Sequence, residues 1–238
     1  KEHDLILIED CCESHGATHK GQKVGSIGDM SCFSFYFGHH MTTIEGGMVC
    51  TDDYEIYQLA RMFRSHGMTR EADKQIHDRY AKPDVNPLFT FAVPGYNMRS
   101  SEINAVLGLE QIKRLDQNIS KRQENLQFWL EGLDSSLYYT DYDAEGSSNY
   151  ALPLILNSSN NRIKEVCDIL KAEGVEYRLG TAGGGNQARQ PYLERYKYKV
   201  VGSLIVSDYI HDYGLYIGNH PELTLVQIKD LYERLNNV

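Results

Sequence analysis

Residues suited to acid–base chemistry are concentrated in the first fifty positions of the chain. Asp10 ends an apolar segment, where an ionised carboxylate is costly unless a positive or hydrogen-bonding group meets it. Ser34 lies in an alternating segment, and His39 and His40 shortly precede a Glu-Gly-Gly at positions 45–47. Taken singly, Asp10 is equally compatible with a helix cap, and a histidine near a turn is usually a surface or core residue. Together they are far more specific, because a carboxylate facing a pyridinium nitrogen tunes vitamin B6 cofactors.

Hydrophobic patterns predict the elements that hold these residues. Residues 5–8 have the pattern of a strand buried on both faces, which is typical of a parallel sheet covered by helices. The polar segment 67–91 has no clear period and is predicted to be a long functional loop. The other predicted strands are residues 30–37, 47–51, 149–156, 175–179 and 215–218. The predicted helices are residues 54–65, one starting at 100, one from 118 or 120 to 133, and 163–173, 201–212 and 225–236.

This alternation of strands and helices predicts an α/β fold with two domains. Residues 1–118 are expected to form part of a large domain, and residues 119–238 a small α/β C-terminal domain. The chain opens inside the core-strand pattern LILIEDCC, whereas termini are usually looser than this. We therefore expect the N-terminal portion of the large domain to be missing.

The composition argues against several classes of partner. With a net charge of −9, the 238-residue chain lacks the basic face that nucleic acid binding needs. No apolar run approaches the ~20 residues that cross a bilayer, and no signal segment follows the N-terminus. These features predict a cytoplasmic protein without membrane contact. The five cysteines include no CxxC or CxC pair, so we expect no bound metal and five small, buried thiols.

Three motifs resemble the DegT/DnrJ/EryC1/StrS sugar aminotransferases in their order and spacing. They are ILIEDCCESHGATHKGQKVGSIGDMSCFSFYFGHHMTTIEGGMVCTDD, RMFRSHGMTR and VPGYNMRSSEINAVLGLEQIKRL. Members of this family are pyridoxal 5′-phosphate enzymes with the aspartate aminotransferase fold, also called fold type I. The resemblance therefore implies that residues 1–118 belong to the cofactor-binding large domain.

The resemblance also implies a role for each matching residue. Asp10 matches the aspartate that hydrogen-bonds the ring nitrogen of the cofactor, and Ser34 matches a serine that contacts its phosphate. Glu13 matches a side chain that packs near the ring. Asn97 matches an asparagine that reaches the phosphate of the neighbouring subunit's cofactor, which implies a homodimer with shared active sites. Because a nucleotide diphosphate needs positive partners, the candidate substrate contacts are Arg70, Arg99, Arg178, His66 and His220.

His39 occupies the position, six residues before Glu45, at which the aminotransferases carry their Schiff-base lysine. Histidine cannot form that bond, but it is a competent general base near neutral pH. The chain therefore resembles the sugar 3-dehydratases of the family, which hold pyridoxamine 5′-phosphate without a covalent link.

The resemblance implies a lyase that removes the C3 hydroxyl of a GDP-4-keto-6-deoxyhexose. This reaction belongs to the biosynthesis of 3,6-dideoxysugars of O-antigen lipopolysaccharide, and an amino donor such as glutamate restores the amine form of the cofactor. Two alternatives remain open from the residues alone. One is a sugar-nucleotide aminotransferase-like protein, and the other is a non-catalytic binding or assembly protein of the same fold.

Overall fold

The computed structural model describes residues 3–157, 162–180 and 184–238. The chain divides into two units, Lys1–Gln117 and Asn118–Val238. The elements of the first unit are β1 (Ile8–Asp10), β2 (Thr18–His19), β3 (Gln22–Lys23), β4 (Met30–Ser34), β5 (Gly47–Cys50), α1 (Tyr54–Arg64), α2 (Lys74–Tyr80) and α3 (Glu102–Ile112). Helix α4 (Leu115–Gly132) leads into the second unit, followed by β6 (Ala151–Ile155), α5 (Ile163–Ala172), β7 (Tyr177–Leu179), α6 (Ile205–Tyr213), β8 (Gly214–Gly218) and α7 (Leu225–Leu235). No helix in the described ranges has the length and apolar character of a membrane span.

The main sheet of the first unit has the strand order β1–β4–β5. β1 runs parallel to β4, which places Asp10 opposite Cys32. β4 runs antiparallel to β5, which places Ser34 opposite Gly47. Asp10 and Ser34 therefore both lie at the carboxyl ends of neighbouring parallel strands.

The predicted buried strand at residues 5–8 is wrong in position and in burial. The strand begins only at Ile8, and the side chains of Leu5 and Ile6 are 75% and 78% exposed. β1 is an edge strand that pairs with β4 alone among the described residues, so it lacks the cover of a central strand. An apolar run indicates a strand, but its burial depends on neighbours that the run does not reveal.

Glu9 fixes the turn between β3 and β4. Its carboxylate accepts the backbone N–H groups of Gly25 at 2.7 Å, Ile27 at 2.8 Å and Gly28 at 2.7 Å. These hydrogen bonds, that from Gly28 first, lower the pKa of Glu9. Because the charged form accepts them, the turn is held most firmly when Glu9 is ionised.

The predicted loop at residues 67–91 is also wrong, because it contains helix α2 and two 3-10 turns. Asp73 caps α2 by accepting the Ile76 N–H at 3.2 Å. Gln58 of α1 fixes this cap, since it donates to the Asp73 carboxylate and accepts the Asp73 N–H, both at 3.0 Å. Ile76 is buried, so one apolar residue anchors a helix too short to show a period in the sequence.

Helix α3 is confirmed, although it begins at Glu102 instead of residue 100. The Ser101 side chain accepts the Asn104 N–H, and the Asn104 side chain accepts the Ser101 N–H, which forms a capping box. The apolar side chains of the helix are open to solvent: Ile103 is 75% exposed, Val106 60% and Ile112 57%. We call these three residues the α3 apolar stripe.

In the second unit, helices pack on an antiparallel sheet with the order β6–β8–β7. Trp129 of α4 is fully buried, and its indole N–H donates to the Pro153 carbonyl on β6 at 2.9 Å. Tyr138 is buried as well, and its hydroxyl donates to the Leu235 carbonyl at 2.7 Å. The strands and helices predicted for this half are confirmed, although α6 begins at Ile205 instead of residue 201.

Candidate active site

Asp10 ends β1 with its carboxylate at the edge of the sheet. Its Oδ1 atom accepts hydrogen bonds from the Cys12 N–H at 3.2 Å and from the Cys32 thiol at 3.7 Å. The hydrogen bonds from Cys12 are the main cause that lowers the pKa of Asp10, and the charge of His39 contributes in the same direction. Asp10 is exposed and ionised near neutral pH, so it can accept a hydrogen bond from a protonated ring nitrogen.

His39 lies beside Glu13, with 3.6 Å between the His39 Nε2 and Glu13 Oε1 atoms. The histidine side chain is 14% exposed and the glutamate side chain 39%. Tyr36 orients the histidine, because its carbonyl accepts the His39 N–H at 3.1 Å and its ring meets the imidazole edge-on. The structure thus brings Glu13 and His39 together, and the charge of His39 is one of the causes that lower the pKa of Asp10.

Ser34 lies on β4, two residues beyond the Cys32 thiol that contacts Asp10. Alternate residues of a strand face the same side, so the Ser34 side chain lies on the Asp10 face of the sheet. Its Oγ atom accepts the Tyr36 N–H at 3.2 Å, and its hydroxyl proton can be donated to an anionic oxygen. Asp10 can therefore accept a hydrogen bond from a protonated ring, and Ser34 can donate one to a phosphate.

Two further histidines are buried near His39, and only His40 stands out in the sequence. The rings of His15 and His40 lie 5.5 Å apart, and His15 also contacts Phe33 at 5.3 Å. Neither ring nitrogen of His15 has a hydrogen-bond partner within the described residues. Burial lowers the pKa of His15 to about 4, and the charge of His39 acts in the same direction. His15 is therefore neutral at physiological pH and packs as an aromatic ring.

The loop before β5 is clamped on both sides of Ile44. The Thr42 hydroxyl oxygen accepts the Ile44 N–H at 2.9 Å. The Asn104 amide of α3 donates to the Thr43 carbonyl at 2.7 Å and to the Glu45 carbonyl at 3.4 Å. Ile44 has a φ of +74°, in the left-handed region that β-branched residues avoid. The hydrogen bonds therefore hold a strained conformation within the segment that links His39 to β5.

Asn97 and His66 lie in two segments that cross closely. Asn97 forms an antiparallel bridge with Ser65. At the crossing, a Cβ atom on Gly67 or on Gly95 would overlap the backbone of the other segment. Gly67 has a φ of +79° and His66 of +59°, so the turn is tight. Both candidate side chains are exposed.

Arg70 and Arg99 are exposed side chains of the first unit. Arg70 is engaged locally, since it donates to the Leu88 carbonyl at 3.3 Å and its Nε lies 3.8 Å from a Glu71 carboxylate oxygen. Its guanidinium also lies over the Phe89 ring, 5.3 Å from the centroid. These contacts hold Arg70 within its own segment, and substrate binding by either arginine stays a prediction.

Arg178 and His220 belong to the second unit. Arg178 lies on β7 opposite Tyr216 of β8, and its guanidinium lies 3.3 Å from a Glu176 carboxylate oxygen. His220 is exposed just beyond β8, and its Nδ1 atom accepts the Glu222 N–H at 3.3 Å. Their role toward a nucleotide also stays a prediction.

A buried polar network, which no sequence pattern signals, holds the turn before His220. Asn219 is 1% exposed, and its amide donates to the carbonyls of Arg122 at 2.9 Å and Asn149 at 3.0 Å. Its side-chain oxygen accepts from the Asn125 amide at 3.1 Å, and its carbonyl accepts from the Arg122 guanidinium. Burial lowers the pKa of Arg122 to about 10. These bonds fix the backbone from which His220 projects.

The prediction that all five cysteines are buried is wrong for three of them. Cys11 and Cys167 are buried, whereas Cys12, Cys32 and Cys50 are half-buried. Cys12 and Cys32 lie beside the exposed end of β1, where the sheet is open to solvent. An apolar neighbourhood in the sequence does not reveal which strand ends are covered.

Comparison with known proteins identifies close relatives. The sequence profile of the DegT/DnrJ/EryC1/StrS aminotransferase family matches residues 1–236. GDP-4-keto-6-deoxy-D-mannose 3-dehydratase of Yersinia pseudotuberculosis is 36% identical over 239 residues, which cover 98% of this chain and 60% of the Yersinia protein.

Solved structures show the same likeness. One is a GDP-4-keto-6-deoxymannose-3-dehydratase that carries asparagine in place of a histidine and contains bound GDP-perosamine. It matches this chain with a TM-score of 0.87 and 31% identity, and the match covers 99% of this chain and 62% of the dehydratase chain. A structure of the same enzyme with a trapped PLP-glutamate geminal diamine has a TM-score of 0.85 and 31% identity, covering 97% and 60%. The chain therefore spans about 60% of the length of these relatives and has the α/β fold of the pyridoxal-phosphate aminotransferases. It belongs to the DegT/DnrJ/EryC1/StrS aminotransferase family.

Proposed function

We propose that this protein is a nucleotide-sugar 3-dehydratase that uses pyridoxal and pyridoxamine 5′-phosphate. The observation that carries the proposal is the His39 imidazole, held 3.6 Å from Glu13. By the resemblance of the motifs, His39 matches the position at which the aminotransferases of the family carry their lysine. A residue that transfers protons but cannot hold the cofactor covalently favours elimination over transamination. The relatives described above, which are named 3-dehydratases, support the same function.

Asp10 and Ser34 are the residues that would hold the cofactor. When bound, the cofactor would store the electron pair left behind when the proton is removed, and that pair would then expel the C3 hydroxyl. The Asp10 carboxylate keeps a proton on the ring nitrogen, and the Ser34 hydroxyl donates to the phosphate. His39 accepts and returns the transferred proton at Nε2, and Glu13 stabilises the charged imidazole beside it.

The substrate class we propose is a GDP-4-keto-6-deoxyhexose, in the biosynthesis of 3,6-dideoxysugars. It is supported by the matched dehydratase structure that contains GDP-perosamine. Glutamate is proposed as the amino donor, because the second matched structure contains a PLP-glutamate geminal diamine. The candidate contacts for the diphosphate are Arg70, Arg99, His66, Arg178 and His220, which all have exposed side chains.

We also propose that residues 1–118 form part of the cofactor-binding domain, that residues 119–238 form the small domain, and that the protein is a homodimer. The exposed Asn97 and the exposed α3 apolar stripe support a second copy at this surface. A two-fold dimer would bring Asn97 of one copy to the cofactor phosphate of the other. The test is rescue of activity when inactive Asn97→Ala and Asp10→Asn variants are mixed, since one site of each mixed dimer is then intact.

The function is tested with the variants His39→Asn and His39→Lys. His39→Asn should lower the rate of dehydration by ~10²–10⁴-fold, while His19→Asn, an exposed control, should retain it. Borohydride should fix the cofactor to the chain only in His39→Lys, as read by mass spectrometry. A His39→Asn variant with the wild-type rate, or a wild type to which borohydride fixes the cofactor, would contradict the proposal.

A further inference from the structure

Three potential metal ligands meet at the end of β1. The carboxylate of Asp10 and the thiols of Cys12 and Cys32 each offer one ligand atom, and these atoms all lie within 4.8 Å of one another. The Asp10 Oδ1 and Cys32 Sγ atoms are 3.7 Å apart. Cysteines and carboxylates at such distances form the ligand sets of divalent metal ions.

The fold builds this cluster from residues that are distant in the sequence. The parallel pairing of β1 with β4 sets Asp10 opposite Cys32. The chain then turns, and the Cys12 N–H bonds to the Asp10 carboxylate, which keeps the Cys12 side chain at the same place. The absence of a CxxC motif therefore does not exclude a metal site, because strand pairing supplies the spacing that a motif would otherwise supply.

The distances suit zinc. Ligand bonds of about 2.0–2.3 Å in a tetrahedron place neighbouring ligand atoms about 3.5–3.8 Å apart. The Asp10–Cys32 separation of 3.7 Å already meets this value, and the bound of 4.8 Å for the other pairs requires shifts of about 1 Å or less. Thiolates disfavour magnesium and calcium, which prefer oxygen ligands.

We propose that Asp10, Cys12 and Cys32 bind one Zn²⁺ ion, with water at the fourth position. The exposed end of β1 gives the ion a path to the site. Insofar as the proposed function is correct, Asp10 serves both the metal and the cofactor ring, so the two ligands exclude each other. Zinc would then inhibit cofactor loading.

The test uses Co²⁺ as a spectroscopic probe on the chain itself, kept reduced by a phosphine. Wild-type protein should bind one Co²⁺ ion and show a sulfur-to-cobalt charge-transfer band, which Zn²⁺ then removes. Cys12→Ser and Cys32→Ser should each weaken Co²⁺ binding by more than about 100-fold, since losing even an outer partner costs 10–100-fold. Cys50→Ser and Cys167→Ser, outside the cluster, should bind as the wild type does.

Several outcomes would overturn the metal site. One is a wild type without the charge-transfer band, and another is Co²⁺ binding that stays as tight as in the wild type in Cys32→Ser or that is lost in Cys50→Ser. Asp10→Asn, which retains both thiols, should weaken Co²⁺ binding without abolishing the band, and circular dichroism shows that each variant is folded. None of these readouts requires dehydratase activity, so the metal site and the proposed function can fail separately.

Discussion

The carboxylate of Glu13 lies 3.6 Å from the Nε2 atom of His39, although 26 positions separate the two residues in the sequence. We expect Glu13→Gln to lower the rate of dehydration by about tenfold, because the amide cannot stabilise the charged imidazole. The loss should appear in kcat more than in KM, which steady-state kinetics measures. Ser14→Ala serves as the neighbouring control. An unchanged kcat in Glu13→Gln would show that His39 acts without this carboxylate.

His15 should make the chain less stable as the pH falls. The pKa of His15 is about 4 in the folded chain, compared with an ordinary value of 6.5 that we take for the unfolded chain. Between these two pH values only the unfolded chain binds the proton. The contribution of His15 to the free energy of unfolding is complete above pH 6.5. It is lost as the pH falls toward 4, by up to about 1.4 kcal/mol for each pH unit.

His15→Phe should remove this part of the pH dependence. Urea unfolding of wild type and variant at about pH 7 and about pH 5 measures the difference. The exposed His19→Phe is the matched control and should follow the wild type. Equal pH dependence in His15→Phe and wild type would mean that His15 takes up its proton in the folded state.

Ile44→Gly should stabilise the chain. Ile44 has a φ of +74°, and a β-branched residue in this region costs about 1–2 kcal/mol, whereas glycine adopts it freely. After the entropy cost of glycine, we expect a gain of about 0.5–1 kcal/mol in the free energy of unfolding. Gly46→Ala in the same loop should destabilise, because the added Cβ would overlap the Thr43 hydroxyl. A less stable Ile44→Gly would mean that the isoleucine side chain makes contacts that outweigh the strain.

Asn219→Ala should destabilise the second unit by about 2–4 kcal/mol. The substitution removes three side-chain hydrogen bonds and leaves buried partners such as the Asn125 amide unsatisfied. Trp129, the single tryptophan of the chain, is buried in this unit and reports its unfolding by fluorescence. Asn237→Ala, at an exposed position, should change the stability by less than about 0.5 kcal/mol. Equal unfolding midpoints for Asn219→Ala and Asn237→Ala would show that the buried polar network does not stabilise the second unit.

Local patterns predict much of this fold because many elements carry their own signals. Ser101 and Asn104 specify the start of α3 through a capping box, and Asp53 caps α1 by accepting the Ile56 N–H. The sequence did not predict helix α2, because the contact that fixes its cap joins Gln58 and Asp73, which are distant in the sequence. Propensity within a short polar segment does not report such a contact.

The candidate site, like the fold, was predictable only in part from the sequence. The types and order of Asp10, Ser34 and His39 indicate the kind of chemistry, since each stands within a recognisable motif. The packing of His15 and the approach of Cys12 to Cys32 depend on strand pairing and burial. Neither can be predicted from the types of these residues. Sequence therefore indicates which groups could react, and the pairing of the strands decides which of them meet.

The hydrogen bonds from three backbone N–H groups to Glu9 determine which positions of this turn tolerate mutation. Because the carboxylate accepts these three hydrogen bonds from backbone N–H groups, Ser26 and the exposed Ile27 can vary without loss of them. Gly25 is restricted, since its φ is +89° and a Cβ there would meet the Phe33 ring. A saturation library of this turn should therefore return many residues at positions 26 and 27, glycine at 25 and glutamate at 9.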